Sequence, residues 1–317
     1  MQTPFPQDPE LTAIAIAYKN PDTALIADQV LPRVPVNSTL FEYTEYNDPH
    51  KAFTVPFTKV SARGRVNRVD LSGQRKPNST EDNAIEVPLS FYDVNPHAAP
   101  GAPKANVRGL ATEVATSLVM LQRESEVSAL VFDPAQYPTG NKEQVTGNDQ
   151  WDDVDSTPIA LIEDGLSSML VRGNLLIFGQ RAWSFLRRHA DILKAVHGNS
   201  GDKGMATRQA VAELFEVQEV LVGTGFINLA RPGEAPEMVR VWGDHAAAIF
   251  RDRSANTVGG LTFGFTAEYG SRVAGSIPDV DIGMRGGEKV RVGESTKPLI
   301  IAPHAGYLWE DAVSSAP

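Results

Sequence analysis

The sequence predicts an α+β fold: an extended, proline-rich first third, one long helix, and then a compact mixed region. Three observations carry that expectation. Thirteen of the 22 prolines fall at or before Pro103, and proline interrupts both helices and central strands. A single uninterrupted helical pattern covers residues 104–132, bracketed by Pro100 and Pro103 on one side and Asp133-Pro134 on the other. Beyond it, helices are mixed with mostly consecutive strands, which does not match the regular strand–helix alternation of a doubly wound sheet.

Taken in order, residues 10–19 predict a short helix ended by Asn20-Pro21, and 23–30 a second one capped by Asp22. Residues 31–36 (LPRVPV) read as extended. Strand alternation then covers Phe41 and Tyr43, the run 53–60, and 66–71, with Gly64 and Ser72-Gly73 as turns. Another strand is expected at 86–94, where Pro88 suits an edge. Residues 40–94 together read as a long hairpin with a polar, basic tip. An isolated two-stranded ribbon is marginal in water. The first hundred residues offer it no core, so a neighbouring copy is expected to complete the fold.

The helix at 104–132 would be about 40 Å long. Val107, Leu110, Val114, Leu118 and Leu121 line one face, and between Gly109 and Gln122 the only charge is Glu113. A helix so weakly charged is expected to be covered on more than one side. A Gly-, Pro- and Asn-rich loop follows at 134–150. Thr157-Pro158 opens a helix that Gly173 stops, 174–178 is a short buried strand, and 180–197 and 205–216 are helices around a turn-rich loop at 198–204. Strands are expected at 217–222, 237–242, 245–250, 261–268, 288–292 and 298–302, the last rejoining the long helix.

No catalytic or cofactor signature emerges, so the chain is not expected to be an enzyme or to hold a cofactor or metal. It has no cysteine, which excludes disulfides, zinc–thiolate sites and cysteine nucleophiles. Residues 217–228 (VQEVLVGTGFIN) imitate a dinucleotide fingerprint, but Asn228 replaces the third glycine and no helix follows. Residues 198–204 (GNSGDKG) lack phosphate-loop spacing. None of His50, His97, His189, His197, His245 and His304 has another at i+4. His189 is expected to pair with Asp191 and His245 with Asp244. There is no G-x-S-x-G elbow. No apolar run reaches a membrane span, and the opening MQTPFPQDPE has no signal-peptide pattern, so a cytoplasm-like compartment is expected.

The net charge of −10 argues against dedicated nucleic-acid binding, but the charge is unevenly spread. Lys51, Lys59, Arg63, Arg65, Arg68, Arg75 and Lys76 face only Asp70 within 51–76, whereas 149–164 holds Asp149, Asp152, Asp153, Asp155, Glu163 and Asp164 with no base. Such blocks are candidates for contact across a subunit boundary, or else two solvated faces.

The succession of arm, basic hairpin, long helix, compact α+β region and returning strand resembles the major capsid proteins of tailed bacteriophages, with the Hong Kong 97 type of fold. Three stretches carry the resemblance: 20–36 (NPDTALIADQVLPRVPV), 157–192 (TPIALIEDGLSSMLVRGNLLIFGQRAWSFLRRHADI) and 213–222 (ELFEVQEVLV). It implies an N-terminal arm at 1–39 and an extended loop at 40–95 lying across the adjacent subunit. A peripheral domain would span 96–150, with 104–132 as its spine helix. An axial domain at 151–255 and return strands at 256–317 would complete it. It further implies pentamers and hexamers in an icosahedral shell around double-stranded DNA, within a virion assembled in the bacterial cytoplasm. Partners would be a portal, in some members a decoration protein, and a separate scaffolding protein, since the arm begins near Met1. Lysine–asparagine crosslinking, known in some members, finds Lys51, Lys59 and Lys76 in the hairpin but no matched partner. An encapsulin-like compartment holding a cargo enzyme is the alternative with the same fold.

Overall fold

The computed structural model describes residues 25–46, 53–55, 58–66, 74–94, 106–198, 204–231 and 233–314. The helix expected at 10–19, the Asp22 cap, Pro100 and Pro103 lie outside them.

The longest strand organises the first of two five-stranded sheets. This strand, β13 (Gly287–Ile300), unites what the sequence showed as two runs, 288–292 and 298–302. Along its first half it pairs with β12 (Val273–Asp279) on one side and β4 (Glu81–Ser90) on the other; its end pairs with β11 (Gly264–Tyr269). β1 (Arg33–Val36) adds in parallel to β11. Among the described residues β4 pairs with β13 alone, an edge position that accommodates Pro88 opposite Lys289.

The long helix, α3 (Val107–Val131), lies across β13 and β4 and is capped by the Asn106 side chain accepting from Gly109 N–H at 2.9 Å. Its inward face is not the expected one. Gly109, Ala111, Thr112, Ala115, Thr116 and Val119 are buried, while Leu110, Val114 and Leu118 stand 58%, 45% and 44% exposed. Small residues let the helix approach the sheet closely. The threonines can face inward because their hydroxyls donate to the carbonyls of Arg108 (2.9 Å) and Thr112 (2.7 Å) one turn back.

The expected hairpin over 40–94 is also different. β2 (Leu40–Glu45) pairs with β3 (Gln74–Ser79), but the chain then runs through Thr80 into β4 and changes partner to β13, ending in a short helix, α2 (Phe91–Val94). The described residues at 53–55 and 58–66 form no strand. The root of the ribbon does have a core: Tyr43 is buried, Thr44 N–H donates to Thr257 O (3.1 Å) and Tyr46 N–H to Ile301 O (2.8 Å). The segment before it is more deeply held. A short helix, α1 (Ala27–Val30), and β1 bury Ile26, Val30, Leu31, Val34 and Val36 in the same core as Val127, Phe263 and Ile301. The expectation that the leading third lacks a core of its own is therefore corrected for residues 26–46.

The second sheet has the order β5 (Lys142–Gln144), β14 (Gly306–Glu310), β10 (Ala246–Ile249), β6 (Leu175–Gly179), β7 (Glu219–Gly223). Its buried central strands are wholly apolar, as short runs bounded by turns predict. Helices α4 (Pro158–Ser168), α5 (Gln180–Leu186), α6 (Ala190–His197) and α7 (Arg208–Leu214) pack against it around Trp151, Phe178, Trp183 and Trp309. The single helix expected at 180–197 is broken because the backbone turns extended at His189, whose ring caps α6 by accepting from Asp191 N–H at 3.3 Å. A second two-stranded pair, β8 (Phe226–Asn228) with β9 (Met238–Arg240), forms a small hairpin. Gly223 just before it has no room for a side chain, since a Cβ there would enter the indole of Trp242.

Candidate assembly surfaces

The arm root is fastened by buried charge. Arg33 reaches Asp28 (2.9 Å), Glu268 (2.5 Å) and Glu294 (2.9 Å), and Arg272 shares Glu294 at 2.9 Å. From α3, Arg123, 3% exposed, pairs with Asp28. Three stretches distant in sequence, around 28–33, 123 and 268–294, thus contribute three cations and three carboxylates. Burial raises the Asp28 and Glu294 carboxyls, but Arg123 and Arg33 outweigh it at Asp28, as Arg33 and Arg272 do at Glu294, so both end below their ordinary values. Arg123 is lowered, first by burial and then by the neighbouring Arg33 charge.

The adjacent Glu124, 1% exposed, accepts three hydrogen bonds: Ile26 N–H and Ala27 N–H at 2.8 Å each, and Trp242 Nε1–H at 2.5 Å. Burial pushes its carboxyl up in spite of them. One carboxylate therefore joins the start of α1, α3 and the Trp242 turn. Sequence reasoning missed this set; the only signal was Arg123-Glu124 in a weakly charged helix.

Among the sequence-predicted contact residues, Lys51 and Arg68 lie outside the described residues. Lys59, Arg63 and Arg65 are exposed. Arg75 and Lys76 lie on β3 and face Glu42 (3.9 Å) and Glu45 (2.5 Å) of their own ribbon; the Glu45 carboxylate holds Lys76 above its ordinary value. In the acidic block, Asp149 and Asp155 are exposed. Asp152 accepts from Ser314 N–H (3.0 Å) and its hydroxyl, and these bonds, with Arg181, outweigh burial to lower its carboxyl. Asp153 accepts from Asp155 N–H at 2.9 Å, shaping the turn. Among the described residues no ion pair joins the two blocks within one chain.

The expected histidine pairs resolve differently. His189 Nε2 faces Ser156 Oγ and Asp153 O at 3.2 Å, and His245 Nδ1 accepts from Asp311 N–H at 3.0 Å, while Asp244 takes Arg181. These contacts close turns.

The largest unsatisfied feature is apolar surface. Besides the outer stripe of α3, Phe53, Val55, Val60 and Val66 around the ribbon tip and Val280 and Met284 between β12 and β13 are exposed. Scattered exposed side chains are ordinary, but a stripe at successive helical turns marks a surface that another element covers.

No family model matches the chain. A curated relative, the major capsid protein of Pseudomonas phage JBD67, is 46% identical over 313 residues, covering 98% of this chain and 99% of the relative. Among solved structures, a phage-related protein from Bordetella bronchiseptica RB50 superposes with a TM-score of 0.75 at 21% identity, covering 98% and 99% of the two chains. The mature capsid of bacteriophage PhiM1 superposes at 0.53 and 9% identity, covering 90% and 86%.

Proposed function

The chain belongs to the family of phage major capsid proteins and has the Hong Kong 97 type of fold; on that premise we propose that its copies form pentamers and hexamers that close an icosahedral shell around double-stranded DNA. Assembly would take place in the host cytoplasm with a separate scaffolding protein and a portal. Residues 1–39 would serve as arm and 40–95 as the loop across the adjacent subunit. Residues 96–150, with α3 as spine, would form the peripheral domain, 151–255 the axial domain, and 256–317 the closing strands. The encapsulin-like alternative gives way because the 46% identical relative is a phage capsid protein.

The observation that carries this reading is the exposed apolar row Leu110 and Val114 on the outside of a helix whose other side is fully packed. Burying such side chains contributes about 1.5–3 kcal/mol each, and obligate interfaces supply that burial. The double variant Leu110→Asp/Val114→Asp is expected to remain folded by circular dichroism yet to form no particles in negative-stain micrographs, where the parent forms closed shells. Shells of normal size from the variant would overturn the assignment of this surface.

The charge blocks give a second expectation. Exposed Lys59, Arg63 and Arg65 of one copy would face the exposed acidic turn of another, with Lys51 and Arg68 strengthening the basic side. Exposed pairs are screened by salt. The protein concentration needed for assembly, followed by light scattering, should rise from about 0.05 to 0.5 M salt. A concentration independent of salt would leave apolar contact as the sole driving force.

A further inference from the structure

A groove of about 650 Å³ runs along the second half of α3. Leu118 and Leu121 of α3, Ile85 of β4, and Ile227 and Leu229 line it together with the polar Asn83, Gln122, Ser125 and Asn228; no residue lining it carries a charge. Leu118 and Leu229 are largely exposed. Ile26 and Ala27 are held beside the groove, because Glu124, within a turn of Leu121 on α3, accepts from Ile26 N–H and Ala27 N–H.

The sequence upstream of Ile26 matches the groove. Residues 11–18 read LTAIAIAY, with no charge, and Leu11, Ile14, Ala15 and Tyr18 recur at helical spacing. Glu10 and Lys19 bound this run on either side. The stretch from Tyr18 to Ile26 can span about 26 Å when extended, enough to fold back over the end of α3.

We propose that residues 11–18 of this chain lie in its own groove as an amphipathic helix, with Leu11, Ile14 and Tyr18 set against Leu118, Leu121 and Leu229. This is the helix-in-groove mode, in which apolar side chains one turn apart fill an apolar channel. It concerns a contact within one chain, so it goes beyond the shell assignment and holds for unassembled protein as well.

The absence of cysteine permits a clean test on the full-length protein. In the variant Ile14→Cys/Leu118→Cys, mild oxidation is expected to give a disulfide within the chain, seen as a faster-migrating monomer on a denaturing gel and reversed by reductant. No crosslink would overturn the proposal. Crosslinked dimers alone would also overturn it, by seating a neighbouring copy in the groove. Trypsin supplies an independent measurement, because Lys19 is the only cleavage site before Arg33. Cleavage after Lys19 is expected to be at least about tenfold faster in Leu118→Asp/Leu229→Asp than in the parent. Both substituted side chains are exposed, so the body is retained, and equal cleavage rates would overturn the docking.

Discussion

Glu124→Ala is expected to lower the unfolding free energy by about 3–5 kcal/mol, since each buried donor left without an acceptor costs about 1–3 kcal/mol. Three donors depend on this carboxylate: Ile26 N–H, Ala27 N–H and Trp242 Nε1–H. All belong to buried residues, so water cannot replace the lost acceptor without opening the core. The loss should also be spread over the fold. Trp242 is wedged over Gly223, and Ile26 begins the arm root, so the second sheet's last strand and the first sheet's β1 both lose an anchor. Urea unfolding should be followed in the Leu110→Asp/Val114→Asp background, where self-association does not add to apparent stability. The exposed neighbour Glu113→Ala serves as control, with a change expected within about 0.5 kcal/mol. A midpoint for Glu124→Ala equal to the control's would show that the carboxylate is not a structural acceptor.

Glu294→Gln should cost a comparable amount at neutral pH, about 3–5 kcal/mol, because removing one partner of a buried ion pair leaves the opposite charge uncompensated. Glu294 is 5% exposed and is shared by Arg33 and Arg272. Without it, Arg33 keeps Asp28 and Glu268 and Arg123 keeps Asp28, so the site holds more positive than negative charge. The pH dependence follows from the lowered carboxyls. A carboxyl lowered in the folded state binds its proton first in the unfolded chain. Its stabilisation is therefore complete above the ordinary values, 4.5 for Glu294 and 3.8 for Asp28, and is lost as pH falls below them. The parent's melting temperature should drop steeply from about pH 5 to pH 3. In Glu294→Gln the starting value should be lower and the drop shallower. Glu288, Asp152 and Asp133 are also lowered, so part of the drop should persist. An identical pH slope in both proteins would place the acid sensitivity elsewhere.

Much of the secondary structure was legible without coordinates because its causes are local. Proline brackets and apolar periodicity marked α3 to within three residues at its start and one at its end. Short apolar runs between turns marked β6, β7 and β10. The α+β class followed from the order of those elements, and the resemblance to phage capsid proteins from their succession along the chain. The candidate surfaces were legible only in part. The basic and acidic blocks are visible as composition, yet Arg75, Lys76, Asp152 and Asp153 prove to have partners in their own chain.

By itself, then, the sequence determined the long helix and most of the elements after it, which stretches carry charge, and which family the whole resembles. Only the tertiary structure decided which side of α3 faces in. Periodicity finds an apolar stripe but does not reveal that the side packed on the sheet is the one carrying Ala111 and Ala115, which cluster with Leu89, Val290 and Val292. It also decided that the arm root is part of the core. The carboxylates that hold it lie 98 residues away at Glu124 and 261 away at Glu294. Contacts at such separations arise from the packing of strands and helices, and no local pattern records them.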